Sequence, residues 1–103
     1  MKAAETIVFV GAGPGAADLL TRRAVDRLSR AEVVVHDQLV HPEVLALVPA
    51  SADRICVDRR DVTDVDPGRT TGELLVHLAR AGRHVVRLKG GDPTVFARLA
   101  EEI

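Results

Sequence analysis

The sequence predicts an α/β domain with a mainly parallel sheet of about four strands and helices on both of its faces. Three observations lead to this prediction. Short runs of β-branched and aliphatic residues alternate with longer segments of helical periodicity along the 103 residues. Glycine-rich turns follow two of the apolar runs, as they do at strand-to-helix junctions. The apolar residues are almost all aliphatic, with two phenylalanines and no tyrosine or tryptophan, which suits a buried parallel sheet.

The first elements are a strand, a helix and a second strand. Residues 7–10 form an apolar run that ends at Gly11 and predict a buried strand. A helix is expected from a cap at Asp18 to about Arg30, because apolar residues recur at helical spacing. These residues are Leu19, Leu20, Ala24, Val25 and Leu28. Residues 33–35 form the second predicted strand, which runs into His36 and Asp37.

A second helix and a third strand follow. Pro42 suits the first turn of a helix that carries four apolar residues and stops at Pro49. The apolar residues are Val44, Leu45, Leu47 and Val48. Residues 55–57 predict the third strand, and we expect Cys56 within it to be a buried core thiol.

The remaining residues predict a third helix, a fourth strand and the beginning of a fourth helix. Residues 58–69 are charged and rich in turn formers, which indicates a loop. Thr70 or Thr71 is expected to cap the third helix, with Glu73 in its first turn and Gly82 at its end. Residues 84–88 predict the fourth strand, a loop follows, and Thr94 onward is expected to be helical.

The composition excludes several classes of partner and site. The 14 basic and 15 acidic residues nearly cancel, so a nucleic-acid partner is not expected. The single cysteine excludes an intramolecular disulfide, and with scattered histidines it predicts no metal site. The chain has no signal-peptide pattern and no apolar run of about 20 residues, so we expect a cytoplasmic protein without a membrane partner.

Three loops are expected to meet at one edge of the sheet. They are residues 11–15 after the first strand, Asp37 after the second and residues 90–93 after the fourth. Ligands of open parallel sheets bind beyond the carboxyl ends of the strands, and glycines there allow a ligand close to the main chain. Asp92 can accept hydrogen bonds from ligand hydroxyls or an amine. The alternatives are that the glycines only form tight turns and that Asp37 only caps the next turn.

A dinucleotide site is a further alternative for the first loop. Gly11, Gly13 and Ala16 fit the loose dinucleotide-binding pattern, and Asp37 ends the second strand, where a ribose-binding acid would lie. The spacing from Gly11 to Asp37 is long for this pattern. It also assigns no role to residues 90–93, so a nicotinamide or flavin cofactor is less favoured.

Four segments in the same order resemble the tetrapyrrole (corrin and porphyrin) methylase family, and within it the uroporphyrinogen-III C-methyltransferases. They are VGAGPG at 10–15, DLLT at 18–21, AEVVVHDQLV at 31–40 and VVRLKGGDP at 85–93, the last followed by Phe96, Glu101 and Glu102. The resemblance covers almost the whole chain from Ile7 onward. It implies that residues 1–103 form one truncated N-terminal domain of a two-domain homodimeric enzyme.

The resemblance also implies a cofactor and site residues. Family members bind S-adenosylmethionine between their two domains. By position, the resemblance assigns cofactor contacts to Pro14, Gly90, Gly91, Asp92 and the main chain of Val95.

Two further residues are assigned to proton transfer. The resemblance implies that Asp37 is a proton acceptor and that Arg59 stands where a lysine proton donor is usual. The implied reaction is methylation of uroporphyrinogen III to precorrin-2, in siroheme and cobalamin biosynthesis. Another precorrin methyltransferase and a truncated, non-catalytic domain remain alternatives.

Several positions depart from the family pattern. His36 replaces a tyrosine, Gln38 an arginine and Arg59 a lysine, and the 58–72 segment is altered. Arginine does not readily give up a proton near neutral pH. The departures leave open which tetrapyrrole is methylated, and an isolated chain with half of the cofactor cleft is expected to turn over little.

Overall fold

Residues 6–12, 20–37, 40–57, 70–90 and 94–99 are described by a computed structural model of the chain, with the backbone alone for Thr94. The predicted α/β class is confirmed, with five strands in place of about four. The elements in chain order are β1 (Thr6–Gly11), α1 (Arg22–Ser29), β2 (Val33–Asp37), α2 (Pro42–Leu45), β3 (Asp53–Val57), α3 (Thr71–Arg80), β4 (Val85–Lys89) and β5 (Thr94–Leu99).

The strands form one sheet in the order β3-β2-β4-β1-β5. The β2–β3, β2–β4 and β1–β4 pairs are parallel, whereas β5 runs antiparallel to β1. The carboxyl ends of β1, β2, β3 and β4 therefore lie along one side of the sheet, which we call the carboxyl edge. Because β5 runs the other way, its first residue lies at this same edge.

Helices cover both faces of the sheet, as predicted, because the strands turn apolar side chains to both sides. One core joins α1 and α2 to alternate strand residues such as Val34 and Leu88. The other core joins α3 to the strand residues on the opposite face of the sheet, such as Val33 and Val85. Leu28 of α1 is fully buried, and burial of a side chain of this kind contributes about 1.5–3 kcal/mol.

Helix α1 begins later than the sequence indicates. Thr21 is its cap, and the Thr21 hydroxyl accepts a hydrogen bond from the Ala24 amide at 3.1 Å. Asp18, the expected cap, lies outside the described residues. Val25 was expected on the apolar face but is 38% exposed, because it lies one residue beyond Ala24 and is turned away from the buried Ala24–Leu28 line.

Helix α3 confirms both of its predicted ends. The Thr70 hydroxyl accepts a hydrogen bond from the Glu73 amide, and the Glu73 carboxylate accepts one from the Thr70 amide. This reciprocal pair is a capping box. At the other end, Gly82 adopts a φ of 89°, a conformation that residues with a side chain rarely adopt.

Helix α2 is shorter than expected. Pro42 stands in its first turn, as predicted, but the helix ends at Leu45 after four residues. The later apolar residue Val48 still packs into the core beside Val44, from a turn that follows the helix. Burial of these side chains therefore does not require a continuous helix.

The prediction of a helix from Thr94 is wrong, because residues 94–99 form strand β5. All six residues of β5 pair with β1, from Gly11 with Thr94 to Thr6 with Leu99. Without β5, β1 would leave a row of unpaired backbone groups at the edge of the sheet. Val95 and Phe96 favour a strand through their side chains, so pairing with that edge prevails over helical spacing.

The expectation of a fully buried Cys56 is also wrong. Cys56 lies on β3, which ends the sheet, and it is half-buried. An edge strand has a neighbour on one side only, so its side chains are covered less completely than those of the central strands.

Candidate functional site

The carboxyl edge brings the end of β1 next to the end of β4 and the beginning of β5. Gly11 pairs with Lys89 on one side and with Thr94 on the other, so β1 ends between β4 and β5. The Ala12 amide donates to the Lys89 carbonyl at 2.7 Å, which continues the contact just past the strand ends. Ala12 and Gly90, the described residues that follow β1 and β4, therefore lie at neighbouring strand ends.

Four predicted site residues lie outside the described residues. They are Pro14 in the first loop, Arg59 after β3, and Gly91 and Asp92 after β4. Their roles stay predictions. The described residues on either side of Gly91 and Asp92 are Gly90 and Thr94, both at the carboxyl edge.

The remaining predicted residues lie near the same edge. Asp37 is the last residue of β2, in register with Val57 at the end of β3, and its side chain is 29% exposed. Gly90 follows β4, and a Cβ atom added there would meet no atom within 4 Å. Val95 is the second residue of β5 and is half-buried.

Arg87 is a central residue of this edge that sequence reasoning did not single out. It lies on β4 in register with Val35 of β2 and Phe9 of β1, and it is 6% exposed. Its Nη2 donates to Asp37 Oδ1 at 2.7 Å, and its Nη1 donates to the carbonyls of Leu88 at 3.0 Å and Val35 at 3.3 Å. The buried charge is thus paired and hydrogen-bonded, as a buried arginine requires.

A signal for Arg87 was present in the sequence. It is the one charged residue inside the apolar run 85–88, where both faces of a parallel strand are buried. A charge at such a position needs a partner of opposite sign. Removing one partner of a fully buried ion pair costs about 3–5 kcal/mol, and the partial exposure of Asp37 places this pair toward the lower end.

Two stacked aromatic rings adjoin Arg87. Phe9 and Phe96 face each other across the β1–β5 pair, with ring centroids 5.0 Å apart and planes 7° from parallel. Phe96 is 49% exposed, so one part of its ring is open to a ligand. A cavity of about 190 Å³ lies at this place, lined by Phe9, Val10, Gly11, Arg87, Lys89, Gly90 and Phe96. It combines an aromatic wall, two cationic side chains and open backbone at Gly90.

His36, the residue before the candidate acid, does not share its surroundings. It is buried, and its Nδ1 lies 2.9 Å from the main-chain oxygen of Asp37. Successive residues of a strand point to opposite faces, so the His36 ring and the Asp37 carboxylate lie on opposite sides of the sheet. The His36 ring therefore does not join the Arg87–Asp37 pair.

The described residues provide neither a metal centre nor a membrane-spanning helix. Among the described residues, no group of three or more histidine, cysteine, aspartate or glutamate side chains is arranged to hold a metal ion. Within the same described part of the chain, no helix has the length and apolar character to cross a membrane.

Comparison with known proteins gives a consistent result. Residues 6–103 match the family model of the Tetrapyrrole (Corrin/Porphyrin) Methylases. A siroheme synthase of Tolumonas auensis is 54% identical over 97 residues, which cover 94% of this chain and 21% of that protein. The chain thus spans about a fifth of the length of the curated relatives that it matches.

Two solved structures share the fold. A uroporphyrin-III C-methyltransferase of Thermus thermophilus, complexed with S-adenosylhomocysteine, superposes with a TM-score of 0.65 at 44% identity, over 85% of this chain and 33% of that one. A cobalt precorrin-4 methyltransferase of cobalamin biosynthesis superposes with a TM-score of 0.71 at 26% identity, over 90% of this chain and 37% of that one. The match of the family model to nearly the whole sequence shows that this chain belongs to the tetrapyrrole methylase family.

Proposed function

We propose that this chain is the N-terminal domain of an S-adenosylmethionine-dependent uroporphyrinogen-III C-methyltransferase that forms precorrin-2. The observation that carries the proposal is the placement of the Asp37 carboxylate on the same edge of the sheet as Gly90 and the end of β1. The identity with the Thermus thermophilus enzyme supports this substrate over that of the precorrin-4 enzyme, which is less similar in sequence.

The cofactor is proposed to lie at the carboxyl edge. Pro14, Gly90, Gly91, Asp92 and the main chain of Val95 would hold S-adenosylmethionine, which supplies an electrophilic sulfonium methyl group when bound. The described residues fit such a group, because the space at Gly90 is open and a cavity adjoins it. The Thermus thermophilus enzyme complexed with S-adenosylhomocysteine supports the same cofactor class.

The chain's own residues are proposed to position the substrate and accept a proton. Methylation of a ring carbon requires a proton to leave the macrocycle, and a carboxylate within hydrogen-bond reach can take it. Asp37 has this role in the proposal, and Arg59 stands at the proton-donor position. Because arginine is a poor proton donor, we propose that Arg59 instead binds a substrate carboxylate through charge-assisted hydrogen bonds.

The larger protein is proposed to be a cytoplasmic homodimer whose second domain completes the cofactor cleft. The substrate is a small tetrapyrrole, without a nucleic-acid or membrane partner. Two alternatives use the same fold: methylation of a later precorrin, which the likeness to the precorrin-4 enzyme favours, and a domain that binds without catalysis.

The test uses two forms of the protein. One is the 103-residue chain, and the other, the two-domain form, is this chain followed by the remaining residues of the Thermus thermophilus enzyme. Binding of S-adenosylhomocysteine is measured by calorimetry, and transfer of labelled methyl groups is measured with uroporphyrinogen III and with later precorrins. The proposal expects methylation of uroporphyrinogen III by the two-domain form. Activity only on a later precorrin supports the first alternative, and no transfer to any of them supports the second.

A further inference from the structure

We propose that Arg87 is a positioning residue for methyl transfer, which acts by holding the Asp37 carboxylate in place at the carboxyl edge. The inference rests on the proposed function and extends it by a residue that acts on the reaction through Asp37. The observation behind it is the 2.7 Å contact between Arg87 Nη2 and Asp37 Oδ1, made across two neighbouring strands.

Main-chain contacts hold the Arg87 guanidinium in place independently of its contact with Asp37. Its Nη1 donates to the Val35 carbonyl of β2 and to the Leu88 carbonyl of β4, so it is attached to both strands that flank the contact. β4 also lies between β2 and β1 in the sheet. A planar guanidinium with its donors in a rigid fork transmits this fixed orientation to its partner. A lysine ammonium at the same place would offer one flexible point of contact.

Within the described part of the chain, the Asp37 carboxylate is bound through one of its two oxygens. Arg87 binds Oδ1 of Asp37, and among the residues that the structure describes no donor is bound to Oδ2. The Asp37 side chain is part-exposed at the end of its strand, whereas Arg87 is almost completely covered. Oδ2 can therefore accept a proton while Oδ1 stays bound. A reacting group held in this way needs no reorientation at the moment of reaction, and a displacement of about 1 Å can reduce the rate roughly 100-fold.

A second arginine with the same kinds of hydrogen-bond acceptor provides a control at the opposite edge of the sheet. Arg83 Nη2 donates to Asp53 Oδ2 at 2.6 Å and to the Glu32 carbonyl at 3.1 Å. The acceptors are of the same kinds as at Arg87, a carboxylate and main-chain oxygen, but the Arg83–Asp53 pair is more exposed. Arg83 precedes β4 and Asp53 begins β3, so this pair lies at the amino ends of the strands, away from the proposed site.

The experiment is a double-mutant cycle on turnover in the two-domain form. Asp37→Asn keeps the shape and an oxygen for Arg87 but removes the base, and a general base contributes about 100- to 10,000-fold. We expect Arg87→Met to lower kcat about 10- to 100-fold, with the affinity for S-adenosylhomocysteine unchanged within about twofold. In the Asp37→Asn background, Arg87→Met should lower kcat no further. Arg83→Met should leave kcat within about twofold of the unsubstituted protein.

Folding is separated from positioning by a milder variant and a second measurement. Arg87→Lys keeps the charge and is expected to lose part of kcat, again without additional loss in the Asp37→Asn background. Urea unfolding monitored by circular dichroism shows which variants are folded. If Arg87→Met does not fold, the double-mutant cycle uses Arg87→Lys in its place.

Three outcomes overturn the proposal. If the losses from Asp37 and Arg87 substitutions multiply, Arg87 does not act through Asp37. If Arg83→Met lowers kcat as much as the Arg87 variant, the effect is not specific to the carboxyl edge. If the unsubstituted two-domain form transfers no methyl group, the proposed function itself fails, and this inference fails with it.

Discussion

Alanine substitution at Gly82 and Gly90 distinguishes a glycine that the fold requires from one that a ligand requires. Gly82 has a φ of 89°, and no atom lies within 4 Å of an added Cβ, so the cost of Gly82→Ala is backbone strain alone. For a left-handed conformation this strain is about 1–2 kcal/mol, and reduced freedom of the unfolded chain returns part of it. We expect a net loss of about 1 kcal/mol, or a fall in Tm of about 4–8 °C.

Gly90→Ala should change stability in the opposite direction. Gly90 also has open space around an added Cβ, but its φ lies outside the left-handed range. Alanine at a compatible glycine position stabilises a protein by about 0.4–1 kcal/mol, through the unfolded state. If a cofactor approaches the main chain at Gly90, the added methyl group instead obstructs it. We expect at least a tenfold rise in Kd for S-adenosylhomocysteine, about 1.4 kcal/mol.

The assay combines urea unfolding of both variants with calorimetric titration of S-adenosylhomocysteine into the two-domain form. Gly82→Ala should unfold at lower urea and bind with unchanged affinity, since Gly82 lies at the opposite end of β4 from Gly90. The reasoning is refuted if Gly90→Ala binds as tightly as the unsubstituted protein. It is also refuted if Gly90→Ala is destabilised by as much as Gly82→Ala, because Gly90 would then serve the turn.

Three further predictions concern stability and are measured by urea unfolding of the 103-residue chain. Leu28→Ala should lower the free energy of unfolding by about 2–5 kcal/mol, because Leu28 is fully buried. Val25→Ala, on the exposed side of the same helix, should change it by no more than about 0.5–1 kcal/mol. Equal effects of the two substitutions would contradict the assignment of the core. Thr70→Ala removes the hydroxyl that caps α3, so it should lower the free energy of unfolding by about 0.5–2 kcal/mol and reduce the helical circular dichroism signal. An unchanged urea midpoint would show that the capping box contributes nothing to stability. Thr71→Val should raise stability by about 1 kcal/mol, because the buried Thr71 hydroxyl finds no hydrogen-bond partner among the described residues, and a lower midpoint would reveal one.

Local signals in the sequence predict most of the individual elements. Thr70 as a cap, Glu73 in the first turn and Gly82 as a stop are all found where they were expected, because each acts on backbone groups within a few residues. Pro42 begins a helix for the same local reason. Predictions fail where neighbours decide: Val95 and Phe96 join a strand, because β1 offers them an unpaired edge.

The candidate site is predicted only in part by the sequence. The glycine pattern and the terminal acid of β2 point to Asp37 and Gly90, since ligands bind where parallel strands end. Arg87 escapes such reasoning, because a charge within an apolar run shows that it needs a partner but does not identify that partner. Pro14, Gly91, Asp92 and Arg59 lie outside the described residues, so their roles stay predictions from the sequence.

The sequence by itself determines the alternation of strands and helices, several helix ends and the family. Those features depend on periodicity, on caps and on short motifs, all read from neighbouring residues. Only the tertiary structure decides that β4 lies between β2 and β1, and so sets Arg87 against Asp37, a residue 50 positions away. The physical reason is that strand order depends on which apolar faces of the strands and helices pack against each other, and neighbouring residues in the sequence do not determine this. A buried charge such as Arg87 is stable only where that order places a counter-ion beside it.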